Sequence, residues 1–389
     1  MTGGEAWLRG STAVVGVAES DLGRVGPGLT ALDLIAQATA GALDDAGLEK
    51  ADIDGLFCHS AFFQNPPLAV AQYLGIRPRY SDSSALGGSS FVAYLRHATA
   101  AINAGMCEVA LIAYGSTQLS SSGGLVRSGA AMLKSYELPF GPRLPVTAYA
   151  LAAARHMHQF GTTREQLAEI AVAARKWAQL NPRAYERQDL TVADVLASRM
   201  VSTPLTIRDC CLVTDGGGAV IVTSAERARS LRKAPVFILG AAEAQWHNDI
   251  FQMPELTTTA AVESGARAFE IAGLRPADVD VAQLYDAFTV NTLLFLEDLG
   301  FCGKGEGGSF VERGALAPGG RLAVNTSGGG LSYCHPGMFG VFLIIEAVRQ
   351  LRGECGDRQV GDCHVGLVHG SGGMLSSQVT AVLGDGSTL

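Results

Sequence analysis

One pattern occurs twice in this chain of 389 residues, and it limits the possible folds more than any single motif does. Asp45 opens the run DAGLEKADIDGLF, and Ile271 opens IAGLRPADVDVAQL. Each follows an alanine-rich stretch with helical spacing, 32–43 and 260–271, and each leads into a short apolar strand. A Gly-rich turn and helix over 87–104 is echoed over 328–351. Apolar strands ending in Gly-Ser follow both, at 107–116 and 363–371. Three matches in the same order imply a duplicated unit, with halves of 1–233 and 234–389.

Within the halves the pattern alternates between strand and helix, which makes the chain an α/β protein. Buried β runs are expected at 12–18, 108–114 and 218–223. Helical periodicity predicts helices at 30–46, 90–104, 164–180, 192–199, 260–272, 289–299 and 338–352. Residues 117–150 are rich in Ser, Gly and Pro. They begin an excursion from the first half that extends to residue 200, and they read as a substrate loop rather than a linker.

Composition narrows the function. Hydrophobic residues make up 48% of the chain and charged residues 17%, enough for a large interior. A net charge of −8 with no Lys/Arg cluster argues against a nucleic-acid partner. The longest apolar run near the C-terminus, 341–345, meets Glu346 at once, so no membrane span is expected, and no secretory signal is visible. Eight cysteines without a Cys-x-x-Cys pair suggest reduced thiols in the cytoplasm, with no metal site.

Several stretches together resemble the thiolase superfamily, specifically its sterol-carrier-protein-type branch and the thiolase-like aldolases that act on steroid side chains. They are RHMHQFGTTREQLAEIAV from Arg155, NPRAY from Asn181, SRMVSTPLTIRDCCLVTDGGGAVIV from Ser198, LGFCGKGEG from Leu299 and GGRLAVNTSGGGLSYCHPG from Gly319. The resemblance implies the thiolase fold: two duplicated βαβαβαββ halves in five α/β/α/β/α layers. It also implies a homodimer, catalytic loops that meet between the halves, and coenzyme A as part of the substrate.

Four loops carry the chemistry in such proteins. Matching Gly87 to the glycine after the nucleophile puts Ser84 where a reactive cysteine belongs. A serine hydroxyl attacks only if a base takes its proton, so Ser84 is either an activated nucleophile or a wall of the acyl pocket. The second loop reads Tyr285-Asp286-Ala287-Phe288, with Ala287 in place of the acid/base cysteine of the sterol-carrier branch. Tyr285 can exchange a proton or simply cap a strand end. The third loop keeps His335 before Pro336, a donor suited to a thioester enolate, and adds Tyr333 and Cys334. The fourth reads His369-Gly370-Ser371-Gly372-Gly373. Here His369 is a base or a structural histidine, and Gly370 and Gly372 offer an oxyanion loop.

Other candidates read as structural. Asp215 with its three following glycines lacks the Lys and Ser/Thr of a phosphate loop and reads as core packing. Cys210 and Cys211 are expected to be inert thiols, and His156 with His158 to form a helix face near a dimer interface.

Losing the thiols while keeping His335 and two tyrosines fits retro-aldol cleavage of a β-hydroxyacyl-CoA to a ketone or aldehyde plus a short acyl-CoA. In that reading Tyr285 and Tyr333 carry the protons, and His335 with loop backbone holds the enolate. The aldolase resemblance also implies a partner built from an OB-fold and a zinc ribbon. A thiolase or acyltransferase acting on an unusual β-ketoacyl-CoA, or a non-catalytic acyl-CoA- or lipid-binding subunit, are the alternatives.

Overall fold

The structure is a computed structural model and describes residues 7–122 and 137–389. Part of the expected substrate loop, 123–136, therefore lies outside the described residues. In chain order the regular elements are β1 Thr12–Glu19, α1 Ala31–Ala46, β2 Gly55–Cys58, α2 Pro66–Leu74, β3 Tyr80–Asp82, α3 Ser90–Asn103, β4 Val109–Ser116, α4 Val146–Phe160, α5 Arg164–Gln179, α6 Val192–Ala197, β5 Met200–Ser202 and β6 Leu205–Thr206. They continue with β7 Gly216–Ser224, α7 Ala225–Ala228, β8 Val236–Gln245, α8 Ala261–Ala272, β9 Val281–Leu284, α9 Thr289–Asp298, α10 Gly307–Val311, β10 Ala323–Val324, α11 Gly340–Leu351, β11 Val365–Gly372 and β12 Ser377–Gly384.

Ten strands form one sheet in the order β10-β9-β11-β12-β8-β1-β7-β4-β2-β3. The order repeats about the β1–β8 seam, where Ala13 pairs with Phe237 and Val14 with Val236. On each side the pattern is the same: two antiparallel pairings next to the seam, then parallel strands out to a short edge strand. Helix α1 covers β1, β7 and β4, and α8 covers β8 and β12. Helices α3 and α11 pack on each other between the two wings, which completes the five layers of a thiolase fold.

Local chemistry explains the matched elements. Thr30 and Asp33 form a capping box at the start of α1, and Gly47 ends it in the left-handed conformation; Gly273 ends α8 in the same way. The apolar face of α1, from Leu34 through Ala46, is buried against strands with hardly a polar side chain between them. A Cβ on Gly16 would sit 2.2 Å from Ala42 O, and one on Gly240 the same distance from Ala268 O, so each strand approaches its helix through a glycine.

Four helices lie outside the expected spans: α2, α4 and the short α7 and α10. Helix α2 opens on two prolines after the left-handed Asn65, and a nine-residue element gives little periodicity to read. Helix α4 starts inside the stretch read as loop, because the glycines and prolines up to Pro145 mask its first turn. On α4, His156 is buried within the chain rather than at an interface: Nδ1 meets Thr162 Oγ1 at 2.8 Å and Nε2 meets the Glu297 carboxylate at 3.0 and 3.1 Å. Lys304 completes the pair at 3.1 Å from Glu297, so the excursion is fastened to α9 by buried charge.

Candidate active site

The loop after β9 and the loop before α11 meet at one hydroxyl. Tyr285 Oη lies 3.2 Å from His335 Nε2 and accepts a hydrogen bond from Phe339 N–H at 3.1 Å. Backbone bonds fix both partners. Tyr285 N–H donates to His369 O, His335 N–H donates to Thr214 Oγ1, and the Tyr114 hydroxyl donates to Pro336 O. The His335 ring stacks on Phe339, while Tyr285 presents its edge to both. Burial pushes His335 down to about 4 and Tyr285 well above the usual phenol range. At neutral pH the pair is therefore an uncharged imidazole facing an intact phenol.

The buried Asp286, next in the chain, turns away from this pair. Its carboxylate accepts from Gly330 N–H at 2.6 Å and Leu331 N–H at 3.4 Å, tying the β9 loop to the turn that leads into His335. Burial raises it to about 7 although those N–H groups pull the other way. Nothing in the loop motif itself marks Asp286 for such a shift.

The first and fourth loops close over the same place. Gly87 has a φ of 63°, and a Cβ on it would stand 3.1 Å from Gly373 N. A Cβ on Gly88 would fall 2.1 Å from the Tyr285 ring. Gly370 and Gly372 lie at the end of β11, opposite Val379 and Ser377, with Gly372 packed on Leu86 O. The Ser84 Oγ is buried without a hydrogen-bond partner among the described residues, so nothing here takes its proton. Its backbone is held instead, by Tyr94 and Ser90. Cys334 is fully buried, and burial pushes its thiol well above the usual range, which leaves it no thiolate character.

Two expected members are elsewhere. His369 is enclosed in the core: Nδ1 meets Thr380 Oγ1 at 2.9 Å, Nε2 meets Gln378 Oε1 at 3.0 Å, and burial pushes its pKa down to about 3. Both ring nitrogens are committed, so it does not face the pocket as a base. Tyr333 is also separate from the Tyr285–His335 pair, its hydroxyl donating to Glu19 Oε1 at 2.7 Å. Burial works to raise Glu19, but Arg349, bound at 2.6 and 2.7 Å, and Arg183 outweigh it and hold the carboxylate at about 2. Nothing in the sequence spacing links Glu19 to Tyr333; only the fold brings them together.

The other candidate residues are structural. Asp215 is buried and accepts from the N–H groups of Val25, Leu119 and Ser120, a structural post. Desolvation pushes Cys210 up to about 12 and Cys211 well above its usual range. Among the described residues no group of His, Cys, Asp and Glu could hold a metal ion, and no helix is long and apolar enough to cross a membrane.

This geometry can be set beside known proteins. A family model described as thiolase C-terminal domain-like matches residues 242–385. A 17-hydroxy-3-oxo-4-pregnene-20-carboxyl-CoA lyase of Mycobacterium tuberculosis is 38% identical over 94% of this chain and 97% of its own length. The chain belongs to the thiolase superfamily. An acetyl-CoA acetyltransferase of Methanothermobacter thermautotrophicus is 34% identical over 93% of this chain and 96% of its own length. A solved structure described as an Ltp2-ChsH2(DUF35) aldolase overlays with a TM-score of 0.89 at 34% identity, covering 97% of this chain and 98% of that one. This superfamily member thus has both lyases and acyl transferases as full-length relatives, and its own site decides between them.

Proposed function

We propose that this protein is a carbon–carbon lyase that cleaves a β-hydroxyacyl-CoA, with a degraded steroid side chain as the acyl group, by retro-aldol chemistry. One observation carries the reading: a buried phenol–imidazole pair, Tyr285 with His335, stands where the loops meet, and among the described residues no base takes the Ser84 proton. The β-hydroxyl proton leaves to a base as the Cα–Cβ bond breaks. The β-carbon becomes a ketone or aldehyde, and the bonding pair moves onto the thioester as an enolate. A proton returned to Cα releases the short acyl-CoA, so no further reactant is consumed. Neutral His335 and the backbone around Gly370 and Gly372 are suited to hold the enolate oxygen, and Tyr285 to carry a proton. Tyr333 is the second candidate carrier, and it can act only by giving up its bond to Glu19.

The acetyltransferase relative keeps acyl transfer as the second reading, yet Ser84 without a base and Cys334 without thiolate character both speak against it. The neighbour described as an Ltp2-ChsH2(DUF35) aldolase supports a partner subunit, which the family resemblance makes an OB-fold and zinc-ribbon protein. A homodimer goes with the family resemblance. Eight free thiols fit a reducing cytoplasm. The half boundary at 233/234, just before β8, goes with this reading.

The test is direct. The protein, co-expressed with a DUF35 partner, is mixed with 17-hydroxy-3-oxo-4-pregnene-20-carboxyl-CoA and the products are identified by mass. A 17-keto steroid with a short acyl-CoA is expected, and the intact chain should keep its unmodified mass. A stable acyl adduct on Ser84 or Cys334 would overturn the lyase reading.

A further inference from the structure

A small cavity lies behind the loops of Tyr285 and His335, where α5, α9 and the loop after β9 converge. Its polar lining is Asp286, Thr292 and Asn325, and the rest is apolar, with Ala173 and Ala174 of α5 in it. Every lining residue is buried, so the cavity is internal. It leaves about 10 Å³ for the centre of a water molecule, which is room for one. The Thr292 side chain is 1% exposed, and its hydroxyl has no hydrogen-bond partner among the described residues. A buried hydroxyl left without a partner is costly.

Asp286 makes a second demand on the same space. Its carboxyl is held by Gly330 N–H at 2.6 Å and Leu331 N–H at 3.4 Å, groups that only donate. Burial raises Asp286 to about 7, so near neutral pH the carboxyl is protonated part of the time and then needs an acceptor. The Asn325 amide oxygen is already engaged by Leu284 N–H at 2.7 Å. A water both donates and accepts, and therefore suits the carboxylate, the protonated carboxyl and the Thr292 hydroxyl alike.

We propose that this cavity is a hydration site whose single water bridges the Thr292 hydroxyl and the Asp286 carboxyl and makes Asp286 a positioning residue for the Tyr285–His335 pair. Asp286 follows Tyr285 in the chain, and on its other side it touches the turn that leads into His335. A Cβ on Gly329 would stand 2.0 Å from Asp286 Oδ2. One on Gly330 would stand 3.2 Å from both Asp286 Oδ1 and His335 Cδ2, so Gly330 is wedged between carboxyl and imidazole. A carboxyl anchored from behind keeps that wedge in place, and with it the 3.2 Å approach of His335 Nε2 to Tyr285 Oη. The hydration site stands apart from the lyase reading, and only its effect on turnover rests on that reading.

Thr292→Val tests this, because it keeps the branched shape and removes the hydroxyl. An unpartnered hydroxyl would make the variant as stable as the native protein or more so. A bridging water should instead make its melting temperature lower by about 1–2 °C. Crystals of the full chain should show a water within hydrogen-bond distance of Thr292 Oγ1 and the Asp286 carboxyl, and the valine variant should lack it. With the hydroxylated thioester of the lyase assay, kcat should fall about fivefold at unchanged KM, as loosened aim gives. Thr292→Ser, which restores the hydroxyl, should recover most of that loss, and it decides together with the native crystals if the valine variant does not fold. Native crystals without the water, a valine variant of native stability, a kcat it leaves unchanged, or a serine variant no better than valine would each overturn the proposal. If the native protein does not cleave the thioester while the water and the melting shift are as stated, the lyase reading falls and the hydration site stands.

Discussion

The two wings of the sheet use the same devices and end in different chemistry. In the first, Asp54 accepts from the N–H groups of Glu108 and Val109 at 2.8 and 2.9 Å; in the second, Asp280 accepts from those of His364 and Val365 at the same distances. Gly16 and Gly240 let the equivalent helices approach. The strand ends differ. β2 ends in Cys58 and runs into His59, while after β9 the chain delivers Tyr285 and Asp286. The turn before α3 supplies glycines, and the turn before α11 supplies Tyr333, Cys334 and His335. Packing of strand on helix dictates the repeated parts, and the loops beyond the strands, though buried, are not bound to that repeat. The second wing therefore carries the acid–base groups and the first wing closes over them.

Removing the phenol of the second wing is expected to have the largest effect. Tyr285→Phe should lower kcat by about 10² or more, the size of a lost general acid or base, with a small change in KM because the ring remains. Tyr333→Phe should lower kcat less and cost stability instead, since its hydroxyl is held by Glu19. Steady-state kinetics and melting curves on both variants check this contrast. If Tyr333→Phe matches Tyr285→Phe in kcat, the hydroxyl leaves Glu19 for the substrate during turnover, and Tyr333 regains a share of the proton transfer.

These contrasts also mark what could be read from the sequence. The duplicated DAGL and IAGL segments, seven of the helices and the buried strands β1, β4, β7 and β11 were legible because periodicity and apolar runs report burial directly. Tyr285 and His335 were legible because the loops that carry them are short and characteristic. Whether a side chain on those loops faces the pocket was not. His369 sits on a strand where one step of the period-two alternation separates core from cleft, and its partners Gln378 and Thr380 come from the neighbouring strand. Glu19 and Tyr333 are 314 residues apart, and no local pattern joins them.

The burial of Asp286 in the second wing is read in pH. With its pKa raised from 3.8 to about 7 in the folded chain, Asp286 holds a proton that the unfolded chain releases. Folding therefore binds more protons between about pH 4 and 7, and stability from this group falls as pH rises through that window. The loss is on the order of a few kcal/mol. His335 and His369, pushed down to about 4 and about 3, give the opposite slope over part of the range. The difference between native protein and Asp286→Asn isolates the carboxyl. Urea midpoints taken from pH 4 to 8 should converge toward low pH and show the Asn variant gaining ground as pH rises. Parallel profiles would mean that Asp286 ionises normally inside the fold.

The smallest expected effect tests the equivalence of the wings themselves. Asp54→Ala and Asp280→Ala each strip the acceptor from two backbone N–H groups at the start of a central strand. Each loss should cost about 1–3 kcal/mol, because the exposed donors are only partly compensated by water. Asp54 also lies 3.7 Å from Arg79 across an exposed surface, an ion pair worth roughly 0–1 kcal/mol. Asp54→Ala should therefore exceed Asp280→Ala by less than about 1 kcal/mol. Kinetic constants at a temperature where both variants are folded should match those of the native protein, since neither carboxylate reaches the Tyr285–His335 pair. Denaturant midpoints supply the first comparison and initial rates the second. A variant that melts normally but turns over slowly would show that one wing's aspartate had acquired a role in the site, and the symmetry between the wings would end there rather than at the loops.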